Sequence, residues 1–260
     1  MREREVLSLQ KLSVSFFKGT PNETPILRKV DLAVKQGEFV TLVGGNGAGK
    51  STLLNSIAGN VKMDSGRIFL DGHEISKWKE EKRAGLIGRV FQDPLSGTAP
   101  RMTLSENLSI ALRRGKRRGL KAGTGKKEQE EFKQQLETFE LGLENRLDSE
   151  VGLLSGGQRQ AVALLMATIN RPNLLLLDEH TAALDPKTAR SVMQLTEERI
   201  KEENLTALMI THNMTDALQY GNRLIMLHQG QIVADFSKEE KAGLTVKDLL
   251  ELFESYSLKE

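Results

Sequence analysis

The run Gly44-Gly45-Asn46-Gly47-Ala48-Gly49-Lys50-Ser51 fits the pattern G-x-x-x-x-G-K-[ST]. Its small residues let backbone N–H groups close around phosphate oxygens without side-chain clash. A helix beginning at the lysine adds N–H groups and a dipole that favour an anion. Lys50 has the reach for β- and γ-phosphates, and the Ser51 hydroxyl suits Mg²⁺. A second chemical string is Leu174-Leu175-Leu176-Leu177-Asp178-Glu179, four apolar residues that end in two carboxylates. In α/β sheets ligands bind beyond the carboxyl ends of strands, where Asp178 would hold Mg²⁺ and Glu179 would orient an attacking water. A glycine loop or an acidic strand end alone is common; together they describe hydrolysis of a nucleotide.

Elements must hold these strings in place. Residues 37–43 read as a buried strand that ends at the glycine loop, and 50–58 as the helix after it, with Gly59 near its end. Leu7, Leu9, Leu12, Val14 and Phe16 alternate with polar residues, as do Val30, Leu32 and Val34, which predicts an antiparallel β portion. From about 95 to 170 the pattern changes. Pro94, Gly97 and Pro100 precede a basic run, and Glu128 to Leu141 has helical spacing, so 95–170 reads as an inserted helical subdomain. The core is then 1–94 plus 171–260. Strand and helix alternate again after 171: a strand at 174–177, a helix at 188–203 with Val192, Leu195 and Ile200 inward, and a strand at 205–210. A hairpin over 224–236 and an amphipathic helix over 246–256 follow. The Gly/Lys-rich stretch 115–127 is the expected mobile loop.

Composition narrows the class. The 260 residues suit one α/β domain, alone or with an insertion, and 38% hydrophobic content supports a buried core. Lys plus Arg number 37 against 35 Asp plus Glu, a net charge of +2, which does not suggest a nucleic-acid binder. The absence of cysteine excludes disulfides, thiolate metal sites and a cysteine nucleophile. The N-terminus Met1-Arg2-Glu3-Arg4-Glu5 has no apolar signal region. No apolar run approaches the roughly 18–20 residues of a membrane helix, so any membrane role is expected through partners.

The string Leu154-Ser155-Gly156-Gly157-Gln158 resembles the signature of the ABC (ATP-binding cassette) family. Gln92 in Val90-Phe91-Gln92-Asp93-Pro94 matches its Q-loop, Ala182-Ala183-Leu184-Asp185 its D-loop, and His212 its switch histidine. The resemblance spans nearly the whole chain. It implies an α/β P-loop NTPase with a RecA-like core, an N-terminal antiparallel β subdomain and an inserted helical signature subdomain. ATP and Mg²⁺ are the implied cofactors. Nucleotide contacts are implied for Phe16, the loop from Gly44 to Thr52, Gln92, the segment Ser155-Gly156-Gly157-Gln158, and Asp185. Metal contacts are implied for Ser51, Gln92 and Asp178, and catalysis for Lys50, Glu179 and His212. Phe16 keeps two readings, inward packing by alternation or stacking on adenine, with Phe17 the other aromatic candidate. His180 stands where many family members have proline; it reads as a tolerated turn residue or as a group that tunes charge beside Glu179.

In this family two subunits meet head to tail with ATP between the loop of one and the Ser155 segment of the other. One cassette without a membrane span resembles a separate subunit docked on an integral-membrane permease at the cytoplasmic face. The Phe91-to-Pro100 run, the Arg113-to-Leu120 segment and the Asp178-to-Thr188 run resemble a bacterial amino-acid uptake group related to branched-chain importers, which implies an extracytoplasmic substrate-binding protein. An exporter subunit or a non-transport regulatory cassette is the alternative. The basic stretch Arg113, Arg114, Lys116, Arg117, Arg118, Lys121, Lys126 and Lys127 reads first as a solvated face and second as a surface for anionic lipid.

Overall fold

The computed structural model describes residues 4–116 and 124–257. Its elements in chain order are β1 (Glu5–Phe16), β2 (Thr24–Lys35), β3 (Phe39–Val43), α1 (Lys50–Ala58), β4 (Ser65–Leu70), β5 (His73–Glu74), α2 (Glu80–Arg83) and β6 (Ile87–Val90). There follow α3 (Leu104–Leu112), α4 (Lys126–Glu137), α5 (Gly156–Thr168), β7 (Leu174–Asp178), α6 (Pro186–Glu202) and β8 (Ala207–Ile210). The chain continues with α7 (Met214–Gln219), β9 (Arg223–His228), β10 (Gln231–Phe236), α8 (Lys238–Ala242) and α9 (Val246–Ser257). Contacts group these into two units, Met1–Arg83 with Asn204–Glu260, and Ala84–Glu203.

In the first unit β1 pairs antiparallel with β2 and with β4, and β4 with β5. The alternation buries Leu7, Leu9, Leu12 and Val14. The three-residue step from Leu9 to Leu12 is a bulge: the register shifts there, and Lys11 has a φ of 49°. The alternation does not bury Phe16, which is 40% exposed at the end of β1. The same unit holds parallel strands. β3, buried at every position, pairs with β8 on one side and β9 on the other, and β10 returns antiparallel along β9. A strand covered on both faces must be apolar throughout, hence Phe39-Val40-Thr41-Leu42-Val43. Its threonine hydroxyl donates to Ala217 O at 3.0 Å. α9 closes this unit, with Leu249 buried against Val43, Ala217, Leu224 and Met226.

The second unit contains the parallel pair β6–β7 and the helices α3 to α6. A separate apolar cluster joins Leu104 and Leu108 of α3, Phe132 and Leu136 of α4, and Ala161, Val162 and Leu165 of α5. α3 starts on a capping box, Thr103 with Glu106. On α6, Val192 and Ile200 are buried as the spacing predicts. Met193 and Thr196 join them, and Leu195 packs only partly. Of the basic stretch, Arg117, Arg118 and Lys121 lie outside the described residues. Lys126 and Lys127 open α4, and Arg113 pairs with Glu128 at 3.0 Å.

Phe132 is 1% exposed and the largest fully buried side chain of the helical cluster. Phe132→Ala is expected to lower the unfolding free energy by about 3–5 kcal/mol, measured by urea denaturation. A loss below about 1 kcal/mol would mean that the cluster collapses onto the cavity at little cost.

Candidate functional site

The chemical residues gather at the carboxyl ends of parallel strands in each unit. In the first unit β3 runs into the glycine loop, and Leu42 lies level with Ile210 of the neighbouring β8. His212 therefore leaves the sheet beside the loop. It is exposed, and Asn213 immediately caps α7 by accepting from the amides of Thr215 and Asp216. Gly45, Asn46 and Gly47 are exposed, while Gly44, Ala48, Gly49 and Lys50 are buried. A Cβ at Gly44 would meet the Leu227 carbonyl oxygen at under 3.0 Å, so the loop can hug β9 only with glycine there. Gly49, at φ 101°, turns the chain into α1, whose first i→i−4 bond is Leu53 N–H to Gly49 O at 2.8 Å. The amides before Leu53 have no earlier intrahelical acceptor, and the exposed Ser51 hydroxyl stands among them. Lys50 Nζ donates to Gly44 O at 2.6 Å and Gly45 O at 3.0 Å, which folds the ammonium back over the loop. Thr52 is half-buried one residue further on.

Phe16 belongs to this unit too and leaves its ring partly free, while Phe17, 70% exposed, occupies the left-handed region at φ 53°.

In the second unit β6 and β7 are level at Val90 and Leu177, so the segment after Val90 and the Asp178-Glu179 pair emerge together. Arg89 Nη2 donates to Asp178 Oδ2 at 3.0 Å, with both side chains mostly buried. Gln92 is exposed two residues beyond β6. Glu179 has a φ of 47°, unusual for a residue with a side chain, and its carbonyl accepts from Ala182 N at 2.9 Å. His180 does lie in the turn after β7, but it is buried there and is not a local charge. It is 2% exposed, and its Nε2 lies 3.1 Å from Thr196 Oγ1, whose own proton goes to Val192 O at 2.7 Å. The ring must then be the donor from Nε2. Burial lowers its pKa from 6.5 to about 4, so it is neutral across pH 6 to 8.

Ser155 caps α5, accepting from Gln158 N at 3.3 Å while Gln158 Oε1 accepts from Ser155 N at 3.1 Å. The same glutamine donates to Leu141 O and accepts from Arg146 Nη1, so it anchors the tip rather than pointing to solvent. Gly157 sits against Thr188: any Cβ there would meet the Thr188 methyl at under 3.0 Å. Asp185 caps α6, accepting from the amides of Lys187 and Thr188 at 3.1 Å. Hydrogen bonding from Thr188, side chain first and then amide, holds its carboxyl below the usual range. The structure thus assembles the loop with His212 in one unit, and Gln92, Ser155 to Gln158, Asp178, Glu179 and Asp185 in the other. Sequence reading missed Arg89 and Thr188. The signal for Arg89 was a lone charge inside the short apolar strand Ile87-Gly88-Arg89-Val90; nothing local marks Thr188 as a packing partner.

Hard oxygen donors, the Asp178 carboxylate, the Ser51 hydroxyl and the Gln92 amide, suit Mg²⁺. Among the described residues no group of three or more His, Cys, Asp or Glu could cage a metal. The hydroxyl of the first unit and the amide and carboxylate of the second are each of the hard-oxygen type that Mg²⁺ takes.

Comparison with known proteins points the same way. The family described as "ABC transporter" matches residues 27–182. The tyrosine transport ATP-binding protein of Clostridioides difficile (strain R20291) is 48% identical over 249 residues, covering 96% of this chain and 99% of that one. The spermidine/putrescine import ATP-binding protein PotA of Haemophilus influenzae (strain 86-028NP) is 34% identical over 241 residues, 92% of this chain and 60% of that one. Among solved structures, the dimeric post-hydrolysis state of the ATP-binding cassette MJ0796 bound to ADP and Pi superposes with a TM-score of 0.76. It is 30% identical, with 89% of this chain and 98% of that chain covered. The ADP conformation of the cassette MJ1267 gives a TM-score of 0.77 at 28% identity, with 98% and 99% covered.

Two predictions follow from the local geometry. Gly157→Ala is expected to lower the urea midpoint, and Thr188→Ser, which removes the opposing methyl, to restore it in the double variant; absence of rescue would place the clash elsewhere. For His180, the unfolded ring titrates near 6.5 and the folded ring near 4. Between these values the unfolded chain binds a proton that the fold rejects. The contribution is therefore present in full above pH 6.5 and lost as pH falls towards 4, by about 3 kcal/mol at about 1.4 kcal/mol per pH unit. His180→Leu should flatten that part of the stability–pH curve relative to the parent; parallel curves would contradict the assignment.

Proposed function

Because the chain belongs to the ABC transporter family, as its ATP-hydrolysing, ATP-binding subunit, we propose that it powers uptake of an amino acid, of the aromatic class, through a membrane permease. Subunits of this family work as dimers with membrane permease components. Among the described residues no helix is long and apolar enough to cross a membrane; the membrane path is assigned to the permease partner. The aromatic class rests on the 48% identity over nearly all of both chains to a protein named for tyrosine transport. The branched-chain relationship rests on resemblance of the Phe91-to-Pro100, Arg113-to-Leu120 and Asp178-to-Thr188 runs.

The observation that carries the mechanism is the glycine cradle with Lys50 folded over it. Nucleotide phosphates would replace the Gly44 and Gly45 carbonyls as partners of the Lys50 ammonium, while the first-turn amides of α1 close on the β-phosphate. Glu179 is assigned to orient the attacking water and His212 to hold the γ-phosphate. Ser51, Gln92 and Asp178 are the residues that would hold Mg²⁺, which supplies charge neutralisation at the phosphates when bound. The Ser155-Gly156-Gly157 tip, a helix N-terminus with an exposed hydroxyl, is assigned to the γ-phosphate held by a second copy of the chain. Phe16, with its ring partly free, is assigned to adenine. The working place is the cytoplasmic face of the membrane, with an extracytoplasmic binding protein delivering the solute.

Glu179→Gln is expected to retain ATP binding, to lose at least 100-fold in turnover as expected when a water-orienting base is removed, and to shift from monomer to dimer with ATP by light scattering (about 10²–10⁴-fold is typical of such groups). Turnover within about threefold of the parent would remove Glu179 from its role. Cells lacking the chain should lose high-affinity uptake of labelled tyrosine while leucine uptake persists; intact tyrosine uptake would overturn the substrate class.

A further inference from the structure

Arg89 is a charged side chain in an otherwise apolar strand, only 13% exposed, and no step above uses it. Two contacts of its guanidinium within the second unit matter here. One is the ion pair to Asp178 Oδ2 at 3.0 Å. The other is the Phe91 ring, 4.5 Å from the guanidinium carbon to the ring centre, well inside cation–π range. The Phe91 ring in turn packs on Gly97, where an added Cβ would meet Cδ2 at 3.3 Å. Phe91 is further held by its carbonyl, which accepts from Gln160 Nε2 at 3.3 Å. Between Phe91 and Gly97 lies the turn that carries Gln92 and is tied by Asp93, through Leu95 N at 2.9 Å and Ser96 N at 3.0 Å.

We propose that Arg89 is a positioning residue that couples the Asp178 carboxylate to the 91–98 turn, so that a change at the acidic strand end is felt at Gln92 and its turn. The contacts form a continuous line: carboxylate, guanidinium, aromatic ring, glycine. A planar guanidinium is the group that can bond a carboxylate in its plane and stack on a ring with its face; a lysine ammonium can keep the charge but not the stack. Removing one partner of a mostly buried pair is destabilising, so loss of the Asp178 carboxylate weakens what holds the guanidinium against the Phe91 ring. The functional weight of this coupling rests on the proposed role of Asp178 at the nucleotide; the coupling itself does not.

The test uses the full chain without nucleotide and reads hydrogen exchange at the amides of Leu95, Ser96 and Thr98. Asp178→Asn and Arg89→Met are each expected to speed exchange there at least threefold, and the double variant to match either single one. Arg89→Lys should preserve the melting temperature yet speed exchange at the same amides. If Arg89→Met fails to fold, Arg89→Lys and Asp178→Asn still decide the matter. Unchanged exchange in Asp178→Asn, or effects that multiply in the double variant, would overturn the coupling. ATPase assays separate the two readings. Asp178→Asn with normal turnover but faster exchange would sink the nucleotide role of Asp178 and leave the coupling; lost turnover with unchanged exchange would do the reverse.

Discussion

A lysine ammonium that is 6% exposed must be matched at once by acceptors. Lys50 meets this demand with the carbonyls of Gly44 and Gly45, and the rest of the phosphate site is shaped by that requirement. The carbonyls can turn toward the ammonium only because the loop carries no side chains there, and the loop can lie against β9 only because Gly44 has no Cβ. The position of Lys50 is fixed from the other side by α1, whose Leu53, Leu54 and Ile57 are fully buried. An anion placed among the loop amides then finds a cation already desolvated and aimed. Little reorganisation remains to be done when phosphate arrives, which is what makes such a site strong in a low-dielectric setting.

The second unit solves a different problem: it must present carboxylates at the end of a strand of four buried leucines. Leu174 to Leu177 are fully buried, so the Asp178 carboxylate sits at the boundary of an apolar region and needs a partner there. The Arg89 guanidinium supplies the counter-charge at hydrogen-bond distance, and stacking on Phe91 keeps that guanidinium from leaving for solvent. The helix starts nearby follow one plan. Ser155 and Asp185 each use a side-chain oxygen on amides of the first turn, so the tip of α5 and the start of α6 are stiff before any ligand is bound. Gly157 lets these two starts touch, through the Thr188 methyl.

Much of this was legible in the residues themselves, for identifiable reasons. The glycine loop and α1 could be read because the loop requires residues with no Cβ and the helix obeys its period; α1 spans Lys50–Ala58 as the pattern predicts. β3, β7, β8 and the β9–β10 hairpin were readable from buried runs and the Gly230 turn. The placement of Phe16 was not: it is in phase with the buried Leu12 and Val14, but the register shifts again between Val14 and Ser15 and the strand ends at Phe16, so simple alternation carries past it. His180 misled for a related reason. Its neighbours in sequence are polar, and only the approach of Thr196 from α6 shows that the ring points inward. Arg89 escaped notice because its meaning lies in strand β7, distant in sequence and level in space.

The strand end also shows how local cost is met by its surroundings. A non-glycine residue in the left-handed region is disfavoured by about 1 kcal/mol or more, and Glu179 occupies it. The turn does not relax because both flanks are held. Asp178 before it is tied to Arg89, and His180 after it is buried and bonded to Thr196, while the Glu179 carbonyl is itself engaged by Ala182. A proline after Glu179 would stiffen the turn through its ring; here a buried histidine does so through packing and one hydrogen bond. That exchange carries a consequence proline would not have. Burial holds the imidazole neutral down to about pH 4, so the anchor flanking the residue proposed to orient water carries a cost of charging.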